Sequence, residues 1–216
     1  MSTLADTFRE MPVIAILRGI APHSCVSVAE VLYRAGIRII EVPLNSPDPY
    51  TGIRVLSQHL GSDCVIGAGT VLTATEVQQA HEAGAQLVVS PNVDVEVIRQ
   101  ASDLGIDAIP GIATATEAFL AIHGGATKLK LFPAATYGPA HLKALKAVLP
   151  PKVDVIPVGG VGASDVGSWI DAGAAGLGFG SELFKPTYSI SEIEQTAGEI
   201  VAAVRPFSRA GGDGYS

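Results

Sequence analysis

Residues 13–44 read VIAILRGIAPHSCVSVAEVLYRAGIRIIEVPL. An apolar run at 13–17 is followed by CVSVAEVLYRAG, in which apolar residues recur at helical spacing, and then by a second apolar run at 37–44. Gly36 ends the middle segment, as a glycine at a helix end commonly does. Strands buried on both faces read as continuous apolar runs rather than alternating ones. The segment therefore predicts two parallel strands connected by a helix.

The same strand-then-helix unit recurs along the chain. Segments of helical spacing alternate with the apolar runs, and a last helix is predicted at about 189–204. Eight units that share no side-chain consensus favour a (β/α)8 TIM barrel, a parallel eight-stranded barrel with outer helices, over a solenoid. The eight predicted strands are 13–17, 37–44, 64–71, 87–91, 107–111, 129–134, 153–160 and 176–181.

An open doubly wound sheet is the main alternative to the barrel. Against it, the first strand is followed by LRGIAP at 17–22, where a dinucleotide-binding fold would carry a GxGxxG fingerprint. No second domain, linker or low-complexity insert is recognised. We therefore predict one domain over 1–216, in which the Gly-rich stretch 205–216 is a flexible tail.

Composition excludes several classes of protein. The chain has 216 residues, 48% hydrophobic and 16% charged, and a mean hydropathy of +0.37, which is incompatible with a disordered chain. A net charge of −7 argues against nucleic acid or an anionic membrane as the main partner, although it allows a local basic pocket. Two cysteines outside any CxxC pair, charges near the amino terminus and no long apolar stretch predict a cytoplasmic protein without export signal or membrane span.

Lys130 is the most informative polar residue. The run LKLFPA at 129–134 places its amine between two leucines in a strand that should be covered on both faces. Desolvation lowers the pKa of a lysine and favours the free amine, which can attack a carbonyl carbon to form an imine. The alternative is a lysine that extends to solvent or pairs with a carboxylate. Lys128 lies near the start of the same strand and so faces the opposite rim.

Glu41 and Arg18 belong to the same predicted rim, because the carboxyl ends of barrel strands converge. Glu41 is a lone carboxylate within IIEVPL, and beside an amine it could relay protons during imine chemistry. A structural ion pair with Arg18 or Lys130 is the alternative. Arg18 ends the first strand, where its guanidinium suits a small carboxylate or serves as a structural fork.

The last two predicted strands end in glycine. Gly159 and Gly160 end the seventh, and Gly180 and Ser181 end the eighth. Backbone N–H groups at these positions could hold a phosphate, although the glycines could equally make simple turns. Thr70 and Ser90-Pro91-Asn92 end the third and fourth strands. The five histidines show no metal-ligand spacing, so we predict no metal, although carboxylates alone could hold Mg²⁺. Imine chemistry on Lys130 would need no cofactor.

Taken together, these segments resemble the class I 2-keto-3-deoxy-6-phosphogluconate/galactonate aldolases from about residue 11 to 204. The resemblance implies that Lys130 forms the Schiff base and that Glu41 is the acid and base. It further implies a homotrimer, and a phosphorylated 2-keto-3-deoxy sugar acid and pyruvate as ligands. The motifs that carry it are IAILRG, GIRIIEVPLNSP, IGAGTVL, SPN, PGIATATEA, KLKLFPA, PVGGV and GFGS.

The resemblance also assigns the binding residues. By the resemblance, Arg18 and Thr70 help to hold the pyruvate portion, and Phe132 and Pro91 line it. Gly159, Gly160 and Ser181 would bind the phosphate. Members that act on the gluconate epimer typically have a threonine before the GG pair and an arginine four residues after the glutamate. This chain has Val158 and Asn45 there, which favours the galactonate branch. An apolar contact discriminates such epimers only weakly, by ~1–3 kcal/mol.

Three alternatives stay open. The same reaction on the C4 epimer is the nearest, and a phosphosugar isomerase or decarboxylase on a similar barrel is more distant. A non-catalytic sensor of phosphorylated sugar acids belongs to a different class, and Lys130 argues against it because a binder gains little from a desolvated amine.

Overall fold

A computed structural model describes residues 4–208 of the chain. Its strands are β1 (Val13–Ile16), β2 (Ile39–Pro43), β3 (Val65–Gly69), β4 (Leu87–Val89), β5 (Asp107–Ile109), β6 (Gly111–Ile112), β7 (Lys128–Leu131), β8 (Asp154–Pro157) and β9 (Leu177–Phe179). Its helices are α1 (Leu4–Glu10), α2 (Pro22–Ala35), α3 (Pro49–Leu60), α4 (Ala74–Glu82), α5 (Val95–Asp103), α6 (Ala115–His123), α7 (Ala134–Lys146), α8 (Val166–Asp171) and α9 (Ile190–Val204). Apart from the adjacent β5 and β6, strands and helices alternate through the described residues, as predicted.

The strands pair in parallel, but they form two sheets rather than the predicted single one. A curled six-stranded sheet has the order β5-β4-β3-β2-β1-β9, and a three-stranded sheet has the order β6-β7-β8. The predicted fifth strand is split because Pro110 has no N–H to donate to a strand ladder. Its first part pairs with β4 and its second part with β7, so the chain passes from one sheet to the other at Pro110. The remaining edge strands of the two sheets are β8 and β9. An isolated parallel bridge joins Val158, which follows β8, to Gly178 of β9.

Side chains that alternate along the strands form an inner apolar cluster. The other face of the strands packs on the helices in a second, larger cluster. Helix α1, which the sequence analysis did not predict, adds Leu4 and Phe8 to the inner cluster. The inner cluster also contains the strand residues Ile14, Ile16, Ile39, Val65, Leu87, Val89, Ile109 and Ile156, and Val158, which follows β8. Helix α1 thus packs at the amino ends of the strands, where a Cβ on Gly176 would overlap the Phe8 ring.

Capping side chains set the starts of several helices. Thr73 begins α4 and Thr114 begins α6 with a capping box in which the threonine hydroxyl accepts an N–H three residues on. Ser189 begins α9 in the same way, and α9 packs against α2. The predicted last helix at 189–204 is therefore confirmed.

The described residues contain no helix long and apolar enough to be a membrane-span candidate. At the carboxyl end, Arg205–Phe207 forms a short 3-10 turn after α9. The remainder of the predicted tail, 209–216, lies outside the described residues.

Candidate active site

A cavity of about 410 Å³ lies at the carboxyl ends of β1, β7, β8 and β9. Eight of the eleven predicted site residues line it, namely Arg18, Lys130, Phe132, Val158, Gly159, Gly160, Gly180 and Ser181. Ile16, Glu182, Phe184, Lys185 and Pro186 complete the lining. The other three predicted residues, Glu41, Thr70 and Pro91, are not in this lining.

Lys130 lies in β7, in register with Gly111 of β6 and Ile156 of β8. It is 5% exposed, so its side chain does not extend to solvent as the alternative prediction required. Its Nζ lies 4.6 Å from the centroid of the Phe132 ring. Burial lowers the pKa of Lys130, and nearby Arg18 lowers it further while Glu41 opposes the shift. The amine is thus held in an environment that favours its neutral, nucleophilic form.

Glu41 lies in β2 and is 2% exposed. Burial raises the pKa of its carboxyl from 4.5 to about 7, although the positive charges of Lys130 and Arg18 oppose the shift. Its Oε2 is buried without a hydrogen-bond partner. Among the described residues, no ion pair joins Glu41 to Arg18 or Lys130. The structural ion pair considered from the sequence is therefore not formed, and the carboxyl is free to exchange protons near neutral pH.

Gly69 provides the space for the Glu41 carboxyl, a role that was not predicted from the sequence. In the register of β2 and β3, Glu41 pairs with Gly67 and Pro43 with Gly69. A Cβ on Gly69 would overlap Oε2 of Glu41. The signal was present in the motif GAG at 67–69, but only the register of the two strands connects it to Glu41.

Arg18 follows β1 and is exposed at the mouth of the cavity. Its Nη1 donates a hydrogen bond of 2.7 Å to Oδ1 of Asn45. The backbone N–H of Gly19 donates to Oγ of Ser46 at 2.9 Å. These two bonds connect the turn after β1 to the turn after β2 and orient the guanidinium.

Another part of the cavity lining is built from the glycine turns. Gly159 and Gly160 have φ of 94° and 71°, which are conformations that favour glycine, and a Cβ on Gly160 would lie 2.6 Å from the Cβ of Ala135. Within residues 4–208, the backbone N–H groups of Gly160, Ser181 and Glu182 donate to no other protein group. Ser181 Oγ donates to Oε1 of Glu182 at 3.1 Å. This wall therefore presents free donors of the kind that bind anions.

Thr70 and Pro91 lie on neighbouring strand ends. Thr70 follows β3 with a φ of 55°, a left-handed conformation uncommon for a threonine. The backbone of Pro91 packs directly against Gly111, the residue in register with Lys130. The two predicted residues are thus near the site without lining the cavity described above.

A second cavity of about 400 Å³ lies at the amino ends of the strands. There Nζ of Lys128 forms an ion pair with Asp154 at 3.8 Å. The prediction that Lys128 faces the opposite rim from Lys130 is confirmed. In the part of the chain that the structure describes, no three His, Cys, Asp or Glu side chains cluster as a metal site.

Comparison with known proteins gives the family. The family model "KDPG and KHG aldolase" matches residues 4–197. The chain is 44% identical over 196 residues to the 2-dehydro-3-deoxy-6-phosphogalactonate aldolase of Escherichia coli (strain K12), covering 91% of this chain and 96% of that protein. The chain therefore belongs to the KDPG and KHG aldolase family.

Two solved structures show the same fold. "Native KDPGal structure" has a TM-score of 0.89 and 44% identity, with 91% of this chain and 95% of that chain covered. The KDPG aldolase of Legionella pneumophila, solved with pyruvate captured at low pH as a covalent carbinolamine intermediate, has a TM-score of 0.81 and 28% identity, with 96% and 98% covered.

Proposed function

We propose that this protein is a class I, Schiff-base aldolase that reversibly cleaves 2-dehydro-3-deoxy-6-phosphogalactonate to pyruvate and D-glyceraldehyde 3-phosphate. The observation that carries the proposal is the buried Lys130 amine, which faces a cavity of about 410 Å³ and interacts electrostatically with a buried carboxyl, Glu41. The names of the relatives support the substrate class.

Lys130 begins the reaction as a nucleophile. Its neutral Nζ adds to the C2 carbonyl carbon to give a carbinolamine. Glu41 then donates a proton to the departing hydroxyl, water leaves, and a protonated imine forms. A carboxyl with a pKa of about 7 is suited to this step, because both of its protonation states are populated near neutral pH.

The iminium carbon then accepts the electrons of the bond that breaks. Glu41, now a carboxylate, removes the proton of the C4 hydroxyl, and the C3–C4 bond cleaves to release the aldehyde. The electrons enter an enamine on Lys130, which is protonated at C3 and hydrolysed to pyruvate. The groups of the chain supply each proton transfer, and the reaction needs no cofactor.

The two walls of the cavity suit the two ends of the substrate. Arg18 would hold the carboxylate, with Thr70, Pro91 and Phe132 around the pyruvate portion. The free N–H groups near Gly160 and Ser181, in turns made by Gly159 and Gly180, would hold the phosphate. Val158 is buried and lines the cavity between these ends, where it would contact the reacting carbons.

We further infer that the two sheets act as one eight-stranded (β/α)8 barrel. The passage of the chain at Pro110, the bridge between Val158 and Gly178, and the inner cluster support this arrangement. We also propose that the protein is a single domain, is cytoplasmic and forms a homotrimer. Exposed apolar side chains such as Phe119 and Leu120 are consistent with subunit contacts.

Assaying pyruvate release from the two C4 epimers tests the proposal. We expect a higher kcat/KM for the galactonate epimer. A higher value for 2-dehydro-3-deoxy-6-phosphogluconate would reassign the substrate, and binding of either compound without pyruvate release would favour the non-catalytic sensor.

A further inference from the structure

Lys185 lines the same cavity and has no role in the function proposed above. It lies in the segment between β9 and α9, four residues after Ser181. The N–H groups of Leu183 and Phe184 both donate to the carbonyl oxygen of Gly180 at 2.9 Å. The N–H of Tyr188 donates to the carbonyl oxygen of Lys185, also at 2.9 Å. Backbone hydrogen bonds on both sides of Lys185 therefore fix the position from which its side chain extends.

The charge of Lys185 has no carboxylate partner within the described residues. Its Nζ lies 5.2 Å from the centroid of the Tyr188 ring, a cation–π contact that involves no carboxylate. Three basic residues line the cavity, and Lys130 is the one in which burial favours the neutral form. Lys185 and Arg18 are the other two basic residues in the lining.

Glu182 places a carboxylate beside the glycine turns of the cavity. Its side chain also lines the cavity and accepts the hydroxyl of Ser181. The free N–H groups of Gly160, Ser181 and Glu182 offer partial charges only, and they lie beside a carboxylate. An entering phosphate dianion would meet this negative charge, and an ammonium on the same loop would offset the repulsion.

We propose that Lys185 is a specificity-determining residue that selects substrates with a terminal phosphate dianion. This inference rests on the proposed aldolase function and concerns the phosphorylated end of the substrate. Besides Lys130, Arg18 is the other basic residue of the cavity, and its hydrogen bond to Asn45 holds it at the turns after β1 and β2. We therefore assign the neutralisation of the phosphate charge to Lys185.

The test measures condensation of pyruvate with D-glyceraldehyde 3-phosphate and with unphosphorylated D-glyceraldehyde. In Lys185→Gln, we expect the ratio of kcat/KM for the phosphorylated aldehyde to that for the unphosphorylated one to fall about tenfold, the scale of one exposed charge-assisted hydrogen bond. The loss should lie in KM for the phosphorylated aldehyde. Lys185→Arg, which keeps the charge, should restore most of the ratio.

Lys152→Gln is the matched control. Lys152 is also an exposed lysine, but it precedes β8 at the amino ends of the strands, away from the cavity. We expect this variant to retain the wild-type ratio. In the wild-type enzyme and in Lys152→Gln, added salt should raise KM for the phosphorylated aldehyde more steeply than in Lys185→Gln.

The outcomes separate the two proposals. An unchanged ratio in Lys185→Gln, or equal losses with both aldehydes, would overturn the role of Lys185 while leaving the aldolase intact. If the wild-type protein condenses pyruvate with neither aldehyde, the proposed function itself fails.

Discussion

The carboxyl of Glu41 occupies the space that a side chain on Gly69 would fill. A Cβ on Gly69 would overlap Oε2 of Glu41, and the two residues lie on the adjacent strands β2 and β3. Interiors are close-packed, so a methyl group cannot be added there without moving the carboxyl. The glycine therefore fixes where the proposed acid and base of the reaction can lie.

Gly69→Ala should lower kcat by about a hundredfold or more, because displacing a general acid-base group forfeits its ~10²–10⁴-fold contribution. It should also shift the pH profile of kcat, since a displaced Glu41 no longer has the same burial. Gly67→Ala is the matched control, because a Cβ there would meet Leu87 at 3.1–3.3 Å rather than Glu41. Equal pH profiles in the two variants would show that the effect of Gly69 is merely structural.

Glu41→Gln removes the proton relay but keeps the side-chain volume. We expect turnover to fall by ~10²–10⁴-fold. The same substitution should also change how the free energy of unfolding depends on pH. Burial raises the pKa of Glu41 from 4.5 to about 7, so the folded protein binds the extra proton between these values.

Wild-type stability relative to Glu41→Gln should therefore be greatest below pH 4.5 and decrease as pH rises through about 7. The neutral amide carries no charge to bury, and the change across this window should be on the order of a few kcal/mol. Denaturant unfolding of both proteins at several pH values measures it. A difference that is constant with pH would mean that the carboxyl titrates normally in the folded state.

Lys130→Ala should abolish turnover and leave the fold intact. Lys128→Ala provides a control on the same strand, two residues away and at the opposite rim, where its amine pairs with Asp154. This control should keep near-wild-type kcat, with any cost confined to stability. Circular dichroism would verify folding of both variants. If Lys130→Ala retained turnover, the imine route would be refuted.

Val158→Thr should change the ratio of kcat/KM for the two C4 epimers by roughly tenfold toward the gluconate epimer. The substitution replaces a methyl group with a hydroxyl that can donate to or accept from the substrate hydroxyl. Val65→Thr places the same hydroxyl in the same inner cluster, but at the amino end of β3. If both variants left the epimer ratio unaltered, Val158 would have no part in the discrimination.

The sequence alone singled out Lys130 and Glu41, and the structure buries both side chains. A lysine or glutamate inside an apolar strand is costly to bury, so Lys130 and Glu41 stand out without any knowledge of contacts. Glycine carries no such signal. The importance of Gly69 depends on the register of two strands, which apolar runs do not specify.

The sequence predicted the elements of the fold but not how the strands divide between sheets. Alternating apolar and helical segments predicted parallel strands with connecting helices, but not the division into two sheets. The proline in DAIPG at 107–111 was the available sign, because it cannot donate to a ladder. Helix α1 was missed since it spans only seven residues and its packing on the strand ends is a tertiary effect.

The most direct test of the central claim is reduction with borohydride in the presence of pyruvate, followed by peptide mass mapping. We predict inactivation that requires pyruvate and a single 1-carboxyethyl adduct on Nζ of Lys130. An adduct on another lysine, or full activity with no adduct, would contradict it.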